Sequence, residues 1–277
     1  MEKAIIFGAG ITGMTAAREL KKQYEVLCFW DNNPKVQGTY VEGIPVQAPE
    51  VSIACNAVFI CTTSGMEEAA EQLLRMGIRR SQIRLDFVLT RVRARENFLF
   101  GLAELQAPLP GSVAEVGVYR GEFAKHINRA YPGRTLHLFD TFTGFAQGDM
   151  LTEKAVGASA FAQSCDFSNS GVELVHAKLP HPEQAIFHTG FFPDTAVGIE
   201  DSFCFINLDL DLYEPTLQAL RFFSRRMVSG GVILLHDYDG EAFPNVKKAV
   251  ADYEREKGLT LRKLPIGDRC SPAILFA

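Results

Sequence analysis

The stretch Ser112-Val113-Ala114-Glu115-Val116-Gly117-Val118-Tyr119-Arg120-Gly121 decides the fold. Its first five residues read as a buried strand. Gly117 and Gly121 then open a turn, and a helical pattern follows over 122–130. A strand that ends in a glycine turn and feeds a helix is the first unit of a nucleotide-binding α/β sheet. Apolar runs at 135–139, 185–188, 203–208 and 232–235, with late strands at 259–264 and 273–276, supply six more strands. Helical patterns at 215–227 and 245–257 lie between them. Seven strands with interleaved helices predict a complete doubly wound sheet.

The same grammar appears upstream on a smaller scale. A strand at 4–7 runs into Gly8-Ala9-Gly10-Ile11-Thr12-Gly13 and a helical pattern through residue 20. A second strand, 25–30, ends on Asp31 before the turn Asn32-Asn33-Pro34. Gly43-Ile44-Pro45-Val46, a buried strand at 57–61 and a helix at 66–76 complete the pattern. The expected organisation is α/β throughout: a small Rossmann-like domain over 1–88, a connecting helix or linker over 89–110, and the larger domain over 111–277. Within the connector, Phe98, Leu99, Leu102 and Leu105 follow Arg91, Arg93 and Arg95 at helical spacing. They predict a helix packed on the second domain, with a substrate lid as the alternative.

In a doubly wound sheet the ligand lies beyond the carboxyl ends of the strands, at the switch point, so the first glycine turn selects the cofactor. Gly117 and Gly121 permit close backbone approach. Glu115 sets a carboxylate beside the ligand, which repels a pyrophosphate and suits a cofactor carrying an ammonium and a sulfonium. The next strand ends on Asp140, an acid placed to accept bonds from two ribose hydroxyls. Glu115 and Asp140 together point to S-adenosylmethionine, with Val118, Tyr119 and Thr141 completing the expected contacts. The plainer alternative pairs Glu115 with a buried arginine and makes Asp140 a turn cap.

The fourth strand ends in Asn207-Leu208-Asp209-Leu210-Asp211, and the fifth in Leu235-His236-Asp237-Tyr238. These strands lie side by side in such a sheet, so Asp209, His236 and Asp237 should converge. Carboxylates at one mouth suggest a hard divalent cation that lowers the pKa of a substrate hydroxyl, while Asp209 or His236 takes the proton. Helix-capping aspartates and a core histidine are the alternative.

At these residues the chain resembles the macrocin/mycinamicin-type O-methyltransferases, the TylF family. The resemblance covers roughly 109–277. It rests on the 115–121 loop, on Phe139-Asp140-Thr141-Phe142-Thr143-Gly144-Phe145, on Gly190-Phe191-Phe192-Pro193-Asp194-Thr195, on 208–216, and on Gly230-Gly231 through Asp237-Tyr238. It implies a class I methyltransferase fold that methylates hydroxyls of sugars or glycosides, using S-adenosylmethionine and Mg²⁺. It further implies Asp209 as metal ligand and general base, and Asp237 as metal ligand. His236 departs from the family pattern, which has a second acid there. Imidazole suits softer ions than Mg²⁺. His236 is therefore a ligand for a softer metal, a general base near its ordinary pKa, or the sign of a lost metal.

Gly8, Gly10 and Gly13 with Asp31 form a nominal dinucleotide fingerprint. The half-fold is short for a dinucleotide domain and resembles small Rossmann-like modules of sugar-modifying proteins. A structural role, a nucleotide-sugar ligand and a dinucleotide all stay open. Two rival readings of the whole chain follow. One is an NAD(P)- or nucleotide-sugar-binding redox or sensor protein, with the second domain as scaffold. The other is a non-catalytic protein that retains S-adenosylmethionine.

Composition narrows the partners. A net charge of −5 over 277 residues gives no broad positive field for nucleic acid, and no apolar run reaches membrane-span length. Six scattered cysteines without a CxxC pair suggest free thiols in a reducing, cytoplasmic setting. A homo-oligomer acting on a small hydroxylated, sugar-containing substrate is expected. Residues 147–170, rich in Gly, Ser and Ala, are expected to form part of a lid.

Overall fold

A computed structural model describes residues 1–50, 53–62, 65–159, 162–163 and 165–277, and the side chain of Arg91 also lies outside the description. The chain divides into two compact units, Met1–Arg93 and Ala94–Ala277. Among the described residues, no helix is long and apolar enough to cross a membrane.

The first unit contains β1 (Glu2–Phe7), α1 (Ile11–Leu20), β2 (Tyr24–Trp30), β3 (Tyr40–Val41), β4 (Ile44–Gln47), β5 (Ala57–Ile60), α2 (Met66–Arg75) and β6 (Ile83–Arg84). Its sheet order is β3-β4-β2-β1-β5-β6, parallel except where β3 meets β4. The central strand is buried on both faces, which explains its unbroken apolar run. Ala4 and Ile6 pack with Ala16, Ala17 and Leu20 on one side, while Ile5 and Phe7 pack with Ala69 and Leu73 on the other.

The long helix α3 (Asp86–Leu105) begins before the arginine-rich stretch rather than at residue 91. In the second unit, Leu99 and Ala103, four residues apart on one helical face, are its buried members. Leu105, expected to join them, is exposed in the last turn.

The second unit continues with β7 (Ser112–Val116), α4 (Ala124–Ala130), β8 (Leu136–Asp140), α5 (Gln147–Val156), α6 (Val172–His176), β9 (Ala185–Thr189), β10 (Phe203–Leu208), α7 (Tyr213–Phe223), β11 (Met227–Leu235), α8 (Asn245–Lys257), β12 (Arg262–Pro265) and β13 (Pro272–Leu275). The seven-stranded sheet runs β12-β13-β11-β10-β7-β8-β9. Strands β7 to β11 are parallel, and β13 is antiparallel to both of its neighbours. The chain winds outward from β7 through β8 to β9 and then returns to the other side of β7 at β10. The switch point therefore lies between β7 and β10. A buried polar pin fastens this sheet to α3: Gln106 donates to the carbonyls of Cys204 and Gly230 and accepts from the Tyr131 hydroxyl at 2.7 Å.

The segment 147–170, expected to form part of a lid, opens on a helix. Its first half is α5, and buried Glu153 locks that helix in place. One Glu153 oxygen accepts from the Tyr213 backbone N–H at 2.8 Å and the other from Asn245 at 2.7 Å. Residues 160, 161 and 164 of that segment lie outside the described residues.

Candidate active site

Register brings the candidate residues to one edge. Val116, Leu208 and Leu235 are aligned across β7, β10 and β11. The next residues continue the ladder, with Asp209 N–H donating to Val116 O at 2.9 Å and His236 N–H to Leu208 O at 2.8 Å. Gly117 sits at the tightest point. A Cβ there would collide with the Asp209 carbonyl, and its φ of +86° favours glycine. The cofactor loop and Asp209 thus share one backbone junction. Gly121, at φ +75°, also leaves room for the Val175 side chain of α6, which a Cβ there would meet.

Glu115 is fully enclosed. Its Oε1 accepts from Asn207 Nδ2 at 2.9 Å, while Oε2 is buried without a hydrogen-bond partner among the described residues. Burial, and then the charge of Asp209, lift its carboxyl well above the ordinary range, against Arg95 and Asn207. An orphaned carboxylate oxygen at the switch point is the feature a cationic cofactor would complete.

Asp140, expected at the ribose, also has partners in its own loop. Its Oδ2 accepts the backbone N–H groups of Val118 and Tyr119, each at 2.7 Å, and its Oδ1 accepts Phe142 N–H at 2.7 Å. The acid thus first organises the glycine loop. Oδ1 keeps one acceptor position for a ribose hydroxyl, rather than a position for each of two. Thr141 donates to the Gly144 carbonyl at 2.7 Å and belongs to the same turn. Tyr119, at φ +50°, hydrogen-bonds Asn169 through its hydroxyl and meets Phe167 edge-on at 5.1 Å.

The acid cluster carries its own N–H donors. His236 Nδ1 stands 2.9 Å from Asp209 Oδ1 and 2.7 Å from Asp237 Oδ2. Arg95 Nη2 lies 3.5 Å from Asp209 Oδ2 and 3.1 Å from Asn207 Oδ1, with its guanidinium over the Phe123 ring at 4.1 Å. Burial works to raise the Asp209 carboxyl, but His236 and Arg95 outweigh it and hold it at about 2. Burial works to lower His236, but Asp209 and Asp237 outweigh it and raise it well above the usual imidazole value. A base near its ordinary pKa, one of the three expectations for His236, is therefore not what this environment makes. Asp211, beside them, is pushed up by burial and then by Asp237 and Asp209. Asp211 and Asp237 both take left-handed backbone, at φ +64° and +56°, a costly conformation concentrated at functional sites.

The metal expectation can be tested on the donor set. One ligand atom each from Asp209, Asp211, His236 and Asp237 lie within 4.8 Å of one another, as do those of His236, Asp237 and Cys270. The two groups compete for one ring, because Nδ1 faces the carboxylates and Nε2 faces Cys270 Sγ at 3.6 Å. Both oxygens of Asp209 already face N–H donors of the chain. An ion on that carboxylate would also meet the Arg95 guanidinium, a repulsion on the order of 4 kcal/mol per unit charge at ~4 Å and an effective dielectric of ~20. Asp209, with both oxygens facing chain donors, does not fit as the ligand of a hard divalent ion.

Sequence reasoning placed Asp209, His236 and Asp237 at this edge and missed Arg95, Asn207, Asp211 and Cys270 as their partners. In the first unit, Gly13 is required because a Cβ would collide with the Gly8 carbonyl. Asp31 is engaged locally, accepting Ala9 N–H and Asn33 N–H at 2.8 Å each. The acid of the nominal fingerprint thus holds its own loop, as Asp140 does in the second unit.

Comparison with known proteins follows the same division. Residues 1–84 match the family model described as C2185-like, N-terminal. A curated relative from Streptomyces olivaceus, 8-demethyl-8-(2,3-dimethoxy-alpha-L-rhamnosyl)-tetracenomycin-C 4'-O-methyltransferase, is 30% identical over 170 residues. That match covers 55% of this chain and 61% of the relative, so the chain spans less than two thirds of that protein's length. Among solved structures, the O-methyltransferase NovP superposes with a TM-score of 0.57 at 20% identity, over 78% of this chain and 100% of that one. The calicheamicin methyltransferase CalS11 gives 0.55 at 20% identity, over 78% and 86%. Both likenesses are of fold, that of the class I methyltransferases. Residues 101–268, more than half of the chain, match the model for Macrocin-O-methyltransferase (TylF), and the chain belongs to that family.

Proposed function

We propose that the chain transfers a methyl group from S-adenosylmethionine to a hydroxyl of a deoxysugar or another sugar-bearing small molecule. One observation carries this reading: the orphaned Glu115 carboxylate oxygen, the Gly117 turn and Asp209 meet at the switch point of one sheet. The sugar acceptor is drawn from the family and from the rhamnosyl substrate in the name of the Streptomyces relative.

When bound, S-adenosylmethionine supplies an electrophilic methyl group on a sulfonium. Glu115 and the open position on Asp140 Oδ1 hold the cofactor's polar groups, and the 117–121 backbone lets it approach closely. Asp209 receives the proton of the acceptor hydroxyl. A carboxylate at about pKa 2 is weak toward a free alcohol. It suffices late in the transfer, because the acceptor oxygen becomes strongly acidic as its new bond to carbon forms. His236 and Arg95 fix the orientation of Asp209, so little reorganisation remains during reaction. Metal assistance forms no part of this proposal, since the donors on Asp209 come from the chain. A reducing cytoplasmic setting belongs to it, supported by six free cysteines.

The test is calorimetric titration of the purified chain with S-adenosylmethionine and S-adenosylhomocysteine, alongside NAD(P)H. One site for the adenosyl compounds is expected. Binding of NAD(P)H with neither adenosyl compound overturns the reading.

A further inference from the structure

We propose that the N–H groups of Arg95 and His236 occupy the place a divalent ion would take on Asp209 and Asp237, so that this carboxylate centre works without a metal. The inference rests on the methyl-transfer reading for its catalytic meaning, and on geometry alone for the exclusion of the ion.

Asp209 presents Oδ1 to His236 and Oδ2 to Arg95, and Asp237 presents Oδ2 to the same imidazole nitrogen. Both donors are engaged beyond the carboxylates as well. The far edge of the His236 ring abuts Cys270 Sγ, and Cys270 is held in turn by Asp268. Asp268 is almost wholly enclosed and gathers the backbone N–H groups of Cys270 and Ser271 at 3.0 and 2.8 Å, with the Ser271 hydroxyl at 2.6 Å. This clamp comes from the 266–272 turn and fixes which ring nitrogen faces the carboxylates. Arg95 is engaged by Asn207 on one side and the Phe123 ring on the other. Asn207 also donates to Glu115. One asparagine thereby links the cofactor-side carboxylate to the guanidinium on Asp209.

An ion bridging Asp209 and Asp237 Oδ2 would have to displace His236 and, on Asp209 Oδ2, Arg95. Bound on Nε2 instead, beside Cys270, it would lose Asp209. Asp268, Cys270 and Phe123 are therefore positioning residues of this centre, acting through His236 and Arg95.

The experiment measures metal binding directly. Elemental analysis of the purified protein for Zn, Mn and Fe is combined with Mn²⁺ titration followed by electron paramagnetic resonance, with and without S-adenosylhomocysteine. Wild type should hold no stoichiometric metal and leave added Mn²⁺ free. His236→Asp removes the blocking donor and supplies a carboxylate, so it should bind Mn²⁺ at least about 100-fold more tightly than wild type. Arg95→Gln, which frees Asp209 Oδ2 with little change of volume, should give a smaller gain in the same direction. It also serves as the second variant if His236→Asp does not fold. Stoichiometric metal in wild type overturns the proposal, as does the absence of any gain in a folded variant. S-adenosylhomocysteine binding in the same samples reports separately on the methyl-transfer reading.

Discussion

Replacing Glu115 by glutamine separates two roles of this carboxylate. In the ligand-free chain Oε1 accepts from Asn207 and Oε2 has no partner among the described residues. Burial and Asp209 raise the carboxyl, so folding disfavours its ionised form. An acid whose pKa rises on folding contributes its stability below the unfolded value and loses it as pH climbs through the folded value. Ionised Glu115 thus weighs against folding, by about 1.4 kcal/mol for each unit of elevation. Glutamine keeps the acceptor oxygen and the shape while removing that penalty. Glu115→Gln should therefore unfold at the same urea concentration as wild type, or a higher one. Cofactor binding should move the other way. A carboxylate ~5 Å from an ammonium or sulfonium, at an effective dielectric of ~20, contributes about 3 kcal/mol before desolvation. Desolvation cancels part of this, so the affinity for S-adenosylmethionine should fall about 10- to 100-fold. Urea unfolding and calorimetric titration of the same two proteins measure both. A glutamine variant that is destabilised yet binds the cofactor unchanged would make Glu115 a packing partner of Asn207 and refute the reasoning.

Three further outcomes follow from the geometry. Gly117→Ala puts a Cβ into the Asp209 carbonyl at φ +86°, so left-handed strain alone should cost about 1–2 kcal/mol and lower the melting temperature by a few degrees; an unchanged melting temperature counts against the close junction. Asp140→Asn substitutes an amide donor for one of two acceptor oxygens, so hydrogen exchange at the Val118 and Tyr119 amides should speed up and S-adenosylmethionine should bind about tenfold more weakly; unaltered exchange would mean the loop holds itself. Burial lowers His137 and His188 below the usual 6.5, and their rings share one hydrogen bond at 2.9 Å. Depressed folded values mean that this stability is present above the unfolded pKa and is lost as pH falls through the folded ones. Denaturation series should show stability falling below about pH 6.5, and a flat profile down to about pH 5 would contradict this.

Much of this was legible in the sequence, for identifiable reasons. The strand at 203–208 was found at its true bounds because every residue of it is buried. Its neighbour β11 starts at Met227, five residues before the expected strand, because its pairing with Phe203 already begins there. The helix predicted through residue 227 stops at Phe223 for the same reason, and a short 3-10 turn over Ser224–Arg226 links it to that strand. Asp209, His236 and Asp237 could be placed together because strand ends converge in this topology. Their partners could not. Arg95 reaches Asp209 from a helix 114 residues earlier, and Asn207 meets Glu115 across 92. Cys270, 34 residues past His236, comes from a turn with no motif of its own. Local patterns locate backbone, but pairings over such separations depend on the packed fold.

The central claim is methyl transfer governed by Asp209. Its most direct test incubates wild type and Asp209→Ala with methyl-labelled S-adenosylmethionine and a panel of rhamnosides and nucleoside-diphosphate deoxysugars, reading label on the sugar by mass spectrometry. Label on a sugar hydroxyl is expected with wild type, with a loss of at least about 100-fold in the variant, provided the variant still binds the cofactor. Undiminished transfer by Asp209→Ala would contradict it.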